Sequence, residues 1–171
     1  MTFIAFNRAE DAYGWMSNSS SHSIYYKGDN YPTAEHLFQF MRYESEAPVS
    51  VTTNGKIEVI SPELLKKEIL VTPDSVQVKG VGRRYRKLWP VAKERDIEVM
   101  GQVIRRKVIP NKTLAALLVA TEGDIYYDVT AGSGSGKFWG AVLLDDGSWD
   151  GENHLGKIWM QVREELKTPR K

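Results

Sequence analysis

Glu35, Gln39 and Arg42 stand at i, i+4 and i+7 within the segment Thr33 to Tyr43, so one short stretch carries a carboxylate, an amide and a guanidinium. Each residue of an α-helix turns by about 100°, which brings the three side chains within roughly 60° of one another. Ala34, Leu37, Phe38, Phe40, Met41 and Tyr43 cover the rest of the circumference. A helix that is apolar on most sides is enclosed by protein, and polar groups on its remaining side have to be satisfied away from bulk water. Two readings follow. The three line a polar cavity, where such groups take a proton, orient a ligand and hold an anion, or they form a self-satisfied buried network.

Other chemistry-bearing residues are fewer. The chain has no cysteine, which removes disulfides, thiolate catalysis and cysteine zinc sites, and its three histidines, His22, His36 and His154, include no pair at metal-ligand spacing. No metal and no cofactor is expected. Ala131 to Phe138 approaches a phosphate-binding P-loop, but Phe138 stands where a Ser or Thr would hold magnesium, so the Gly/Ser stretch reads as a lid or a connector. The run Arg83-Arg84-Tyr85-Arg86-Lys87 suits phosphate or nucleic acid, with Gly80 and Gly82 letting backbone amides approach an anion; a solvated basic face is the equal alternative. Arg105-Arg106-Lys107, being helical, points in different directions. Trp89 and Trp139 read either as core or as flat surfaces for base stacking. Asp128 lies in the alternating stretch Ile125 to Val129. Gly156, in the first turn after a capping Asn153, marks close approach of a ligand or of another backbone.

The elements that must position these groups follow from local patterns. Phe3 to Phe6 and Ser23 to Lys27 read as strands, the second turning at Gly28-Asp29-Asn30. Thr33 caps the polar-striped helix. Val49 to Thr53 and Lys56 to Ile60 flank Asn54-Gly55, a two-residue hairpin signal. Helices are predicted over Pro62 to Leu70, Pro90 to Val108, Thr113 to Ala120 and from Asn153 onward, and strands over Ile125 to Val129 and Phe138 to Leu144. At 171 residues, 42% hydrophobic and 26% charged, the chain suits one α+β domain over 1–171, helix-rich with a small β-sheet, with a tail over 168–171 predicted to be disordered. A formal charge of +1 argues against binding nucleic acid by an overall positive field. No signal-peptide pattern and no run of about 18 apolar residues occurs, so a cytoplasmic protein with no membrane partner is expected.

Four stretches in order then carry a resemblance: Tyr31-Pro32-Thr33-Ala34-Glu35-His36-Leu37-Phe38-Gln39, Leu117-Leu118-Val119-Ala120-Thr121, Trp139-Gly140, and Gly151 to Arg163 with Asn153, Leu155, Gly156 and Met160. They closely resemble the NADAR, or YbiA-like, family. Tyr13-Gly14, Ser17-Asn18, Arg83, Trp89 and Met100 fit it too. The resemblance implies a metal-independent N-glycosidase that cleaves the bond between a base nitrogen and a ribose carbon. The implied substrates are phosphoribosylated intermediates of riboflavin synthesis, or guanine in DNA carrying ADP-ribose. It implies Glu35 and then Asp128 as catalytic carboxylates, Gln39 and Asn153 orienting ribose or base, Arg42 and Arg83 on phosphate, and Trp89 or Trp139 stacking. Ser17, Asn18, Gly140 and Gly156 complete the implied substrate-binding set.

The chain also departs from the family's pattern. Arg42 stands for a lysine, Gly136 for an acid and Asp128 for a glutamate, while the 48–61 hairpin and the Gly/Ser loop look like insertions. A guanidinium stays protonated and cannot act as a nucleophilic amine. A non-catalytic binder of ADP-ribose-like nucleotides, or of ADP-ribosylated DNA, is the alternative these departures raise. No obligate protein partner is implied.

Overall fold

The computed structural model describes residues 2–132 and 136–168. In chain order the elements are β1 (Phe3–Phe6), β2 (Ile24–Tyr26), β3 (Asp29–Tyr31), α1 (Ala34–Met41), β4 (Val49–Thr53), β5 (Lys56–Ile60), α2 (Pro62–Val71) and α3 (Ser75–Arg86). They continue with α4 (Lys93–Val108), α5 (Lys112–Val119), β6 (Asp124–Tyr127), α6 (Gly136–Trp139), β7 (Val142–Leu143), β8 (Trp149–Asp150) and α7 (His154–Lys167). This is the expected α+β class, its strands gathered among the described residues into two-stranded sheets. The described residues fall into two compact units, His22–Val99 and the remainder, Met1–Ser21 with Met100–Lys171. No described helix is long and apolar enough to cross a membrane. The predicted tail beyond Thr168 and the centre of the Gly/Ser loop, 133–135, lie outside the described residues.

Within His22–Val99, α1 is buried along its whole length and packs against α2 and α3. Thr33 caps it by accepting from the His36 amide, at 3.4 Å. His36 is itself structural. Its Nε2 donates to the Thr72 carbonyl at 3.0 Å, which leaves Nδ1 to accept from the Thr33 hydroxyl at 2.8 Å. The hairpin at Asn54-Gly55 forms as the sequence predicts, with both residues at positive φ. Two expectations need correction. The first turn falls at Lys27-Gly28, both at positive φ, so that Asp29–Tyr31 pairs back on β2 as a strand. The basic run is the end of a helix and not a glycine loop: Asp74 caps α3, and Val78, Val81, Gly82 and Tyr85 recur at helical spacing on its buried side. The Gly80 and Gly82 amides therefore lie inside a helix and are not presented to an anion.

In the other unit β1 and β6 pair in parallel, Phe3 opposite Asp124 through Phe6 opposite Tyr127. The buried face of α7, with Leu155, Ile158, Trp159 and Val162, packs against β6 and α5. The strand expected over Phe138 to Leu144 shrinks to β7. A helical turn ends at Gly140, whose amide bonds the Gly136 carbonyl at 2.6 Å, and Ala141 is drawn onto the Tyr127 carbonyl at 2.9 Å. Asn153 does not cap α7 with its side chain. It sits at φ 51, in the left-handed region, because its amide group is used elsewhere, accepting from the Tyr127 amide at 3.1 Å and donating to the Ile125 carbonyl at 2.8 Å.

Candidate functional site

The polar stripe of α1 is the middle of a longer chain of contacts inside the unit His22–Val99. Gln39 Nε2 donates to Glu35 Oε1 at 2.6 Å, and Arg42 Nη1 donates to Gln39 Oε1 at 3.0 Å. Arg42 then grips Asp96 on α4 with both its Nε, at 2.8 Å, and its Nη2, at 3.0 Å. The two ends of the chain reach solvent through cations: Lys79 Nζ is 3.9 Å from Glu35 Oε2, and Arg86 Nη1 is 3.5 Å from Asp96 Oδ2. Glu35 is 5% exposed and Gln39 4%, whereas the Lys79 side chain is 46% exposed. The carboxylate therefore lies one side chain below the surface of its unit, with Oε1 spoken for and Oε2 facing the lysine. Gly82 makes the arrangement possible, since a Cβ there would overlap the Gln39 amide oxygen.

The buried-network reading of the stripe holds for Gln39 and Arg42. Arg42 and Gln39 form a closed buried network, while Glu35 keeps one oxygen outside it. The Arg42 guanidinium is engaged at all three nitrogens by a carboxylate and an amide, and it lies against the faces of Phe38 and Tyr43, 4.9 and 5.3 Å away. Arg83 is the opposite case, exposed on α3 and without an ion-pair partner among the described residues. Its neighbour Arg84 pairs with Glu68. Trp89 is core, 4% exposed, stacked on Tyr85 and donating its indole N–H to the Ala47 carbonyl at 3.1 Å.

The remaining sequence-predicted residues lie in the other unit. Asn153 bonds β6 from the N-terminus of α7, and Gly156 is where α7 meets the β6 backbone, because a Cβ there would overlap the Ile125 carbonyl. The close approach read from Gly156 is to backbone. Gly140 is likewise tight against the Tyr127 carbonyl, and Trp139 before it is half-buried, edge-on to Phe138. Asp128 follows β6, is half-buried, and accepts from the Thr130 amide at 2.8 Å. Ser17 is buried, and the Oδ1 of Asn18 is buried without a hydrogen-bond partner among the described residues. No described group of three or more His, Asp or Glu side chains could hold a metal ion.

Sequence reasoning missed Asp96, Lys79 and Lys107. The signal was present for two of them. Asp96, Val99, Met100, Val103, Ile104, Lys107 and Val108 are all buried on α4, so both charges sit inside its apolar stripe. Lys107 is 3% exposed; its ammonium donates to the Ser17 carbonyl at 2.8 Å and the Ser20 hydroxyl at 2.7 Å, near the Trp159 ring. It fastens the loop that carries Ser17 and Asn18. Burial lowers its pKa from 10.5 to about 7. Between those values the unfolded chain binds a proton that the folded chain does not, so this group makes stability rise with pH from about 7 to 10.5. Denaturant unfolding across that window is expected to show the rise in the native protein and to lose it in Lys107→Met.

A family model described as the NADAR domain matches residues 5–167. A riboflavin biosynthesis protein of Vibrio vulnificus is 30% identical over 96% of the chain, which spans 38% of that protein's length. The N-glycosidase YbiA of Escherichia coli strain K12 is 29% identical, with 96% of this chain and 89% of YbiA covered. The NMR structure of the E. coli protein YbiA superposes with a TM-score of 0.68 at 26% identity, covering 97% of this chain and 85% of that one.

Proposed function

The chain belongs to the NADAR domain family, and from that premise we propose that it hydrolyses the N-glycosidic bond of a ribosyl compound carrying phosphate, with Glu35 as its catalytic carboxylate. As the bond from the ribose carbon to the base nitrogen breaks, its electron pair leaves with the nitrogen and positive charge builds on the ribose. A fixed carboxylate stabilises that charge or takes a proton from the attacking water; the water oxygen forms the new bond to carbon, and the water proton ends on the departing nitrogen. Glu35 suits either role. It is buried, one of its oxygens is held by Gln39 at 2.6 Å, and the other remains outside that bond.

The substrate is most concretely guanine carrying ADP-ribose in DNA, or a phosphoribosylated aminopyrimidine of riboflavin synthesis. The names of the similar proteins support the bond class, through an N-glycosidase, and the second substrate, through a riboflavin biosynthesis protein; the first rests on the family resemblance. Arg83, exposed and without an ion-pair partner among the described residues, is the guanidinium assigned to phosphate. Arg42 leaves that role because Asp96 takes its Nε–Nη2 edge and Gln39 accepts from its Nη1.

The deciding experiment offers the purified chain ADP-ribosylated DNA and the phosphoribosylated aminopyrimidines, with released base and ribose followed by mass spectrometry. Release from one of them is expected. Folded protein that turns over neither, yet binds ADP-ribose tightly by calorimetry, would replace the enzyme with a non-catalytic binder.

A further inference from the structure

The hairpin of β4 and β5 pairs with nothing but itself among the described residues, and β5 is the barer strand: Lys56, Ile57, Glu58 and Val59 are all exposed, Ile57 by 73% and Val59 by 62%. A lone two-stranded sheet is marginal in water, and an open strand edge is a template for another strand. The geometry of the turn says which groups that edge presents. Asn54-Gly55 is a two-residue turn with both residues at positive φ, and it places Thr53 opposite Lys56. In such a hairpin the residues flanking the turn exchange backbone hydrogen bonds and the pattern then alternates. Lys56, Glu58 and Ile60 thus direct their backbone groups toward β4, while Ile57 and Val59 direct theirs outward.

We propose that β5 is a self-association strand whose partner is the β5 of a second copy of this chain, antiparallel about a two-fold axis at Ile57. In that register Ile57 exchanges both backbone hydrogen bonds with Ile57 of the second copy. Lys56 then stands opposite Glu58 of the second copy, and Glu58 opposite its Lys56. Those are non-hydrogen-bonded positions, where Cα atoms come within about 4.5 Å and side chains lie closest. Neither Lys56 nor Glu58 has an ion-pair partner among the described residues, so both are available. The register centred on Glu58 would instead set the two glutamates against each other, and charge selects between the two. The product is a four-stranded sheet with Ile57 and Val59 of both copies on one face. Its small area makes the association weak, and it is expected to develop from micromolar to millimolar protein.

The test is sedimentation of the full chain over that range, with charge reversals on exposed positions that circular dichroism should show to be folded. The native chain is expected to dimerise. Lys56→Glu or Glu58→Lys alone makes two like-charge pairs and should weaken the dimer by about tenfold or more. The double variant K56E/E58K restores both pairs and should restore the dimer. A chain that stays monomeric throughout, or a dimer indifferent to the single reversals, overturns the proposal.

Discussion

Replacing Glu35 with glutamine is expected to abolish base release, with turnover falling by about 10² to 10⁴, while the melting temperature stays near that of the native chain. The physical contrast lies in charge and not in shape. A glutamine can still accept from Gln39 Nε2 through its own carbonyl oxygen, so the buried contact on the Oε1 side survives. What disappears is the negative charge opposite a developing cation and the capacity to take a proton. Lys79 loses its ionic neighbour, but its side chain is 46% exposed and water replaces that contact at little expense. Steady-state turnover on the substrate found by the panel, measured beside thermal melts, separates the outcomes. Full activity in folded Glu35→Gln would remove Glu35 from the chemistry and leave the family assignment untouched.

The largest stability effect is expected at Asp96→Ala, about 3 to 5 kcal/mol in denaturant unfolding. Asp96 and Arg42 are both nearly sealed, their side chains 6% exposed each, and the guanidinium meets the carboxylate through two nitrogens. Removing the acid strands a cation that cannot neutralise itself, among apolar rings that offer it only a weak substitute. Arg42→Met combined with Asp96→Leu removes both charges, and much of the lost stability is expected to return, since replacing a buried pair by apolar groups of similar volume is close to neutral. A mild effect from Asp96→Ala alone would mean that the network is hydrated and that Arg42 is freer than its contacts suggest. The pair also gives the arginine a structural explanation. In this chain the position after Gln39 on the stripe is filled by a group that anchors α1 to α4, a task for which a bidentate guanidinium is better shaped than an ammonium.

Much of the site's local order was legible beforehand because it depends on near neighbours in the chain. The spacing of Glu35, Gln39 and Arg42, the cap at Thr33 and the hairpin at Asn54-Gly55 are all set by residues a few positions apart. Errors arose where local signals compete. Glycines at 80 and 82 suggest backbone amides open to an anion, yet one of them is there so that Gln39 can fit against α3, a cause that lies on another helix. Asn153 looked like a cap because asparagine usually is one, but its amide group is drawn to the β6 backbone, 26 and 28 positions earlier in the chain. Lys107 reads in sequence only as one of three helical cations pointing in different directions, whereas its place in the apolar stripe of α4 commits it to the Ser17–Ser20 loop.

From sequence alone came the α+β class, the family resemblance and the enclosure of Glu35, because composition, periodicity and ordered motifs carry those directly. Which cation is sealed and which is open was decided by tertiary structure. Arg42 and Arg83 are the same residue type, and only the approach of Asp96, 54 positions away from Arg42, makes the first a strut and leaves the second facing solvent. A charge's role depends on what desolvates and pairs it, and that partner is chosen by packing between helices and not by the order of residues along one.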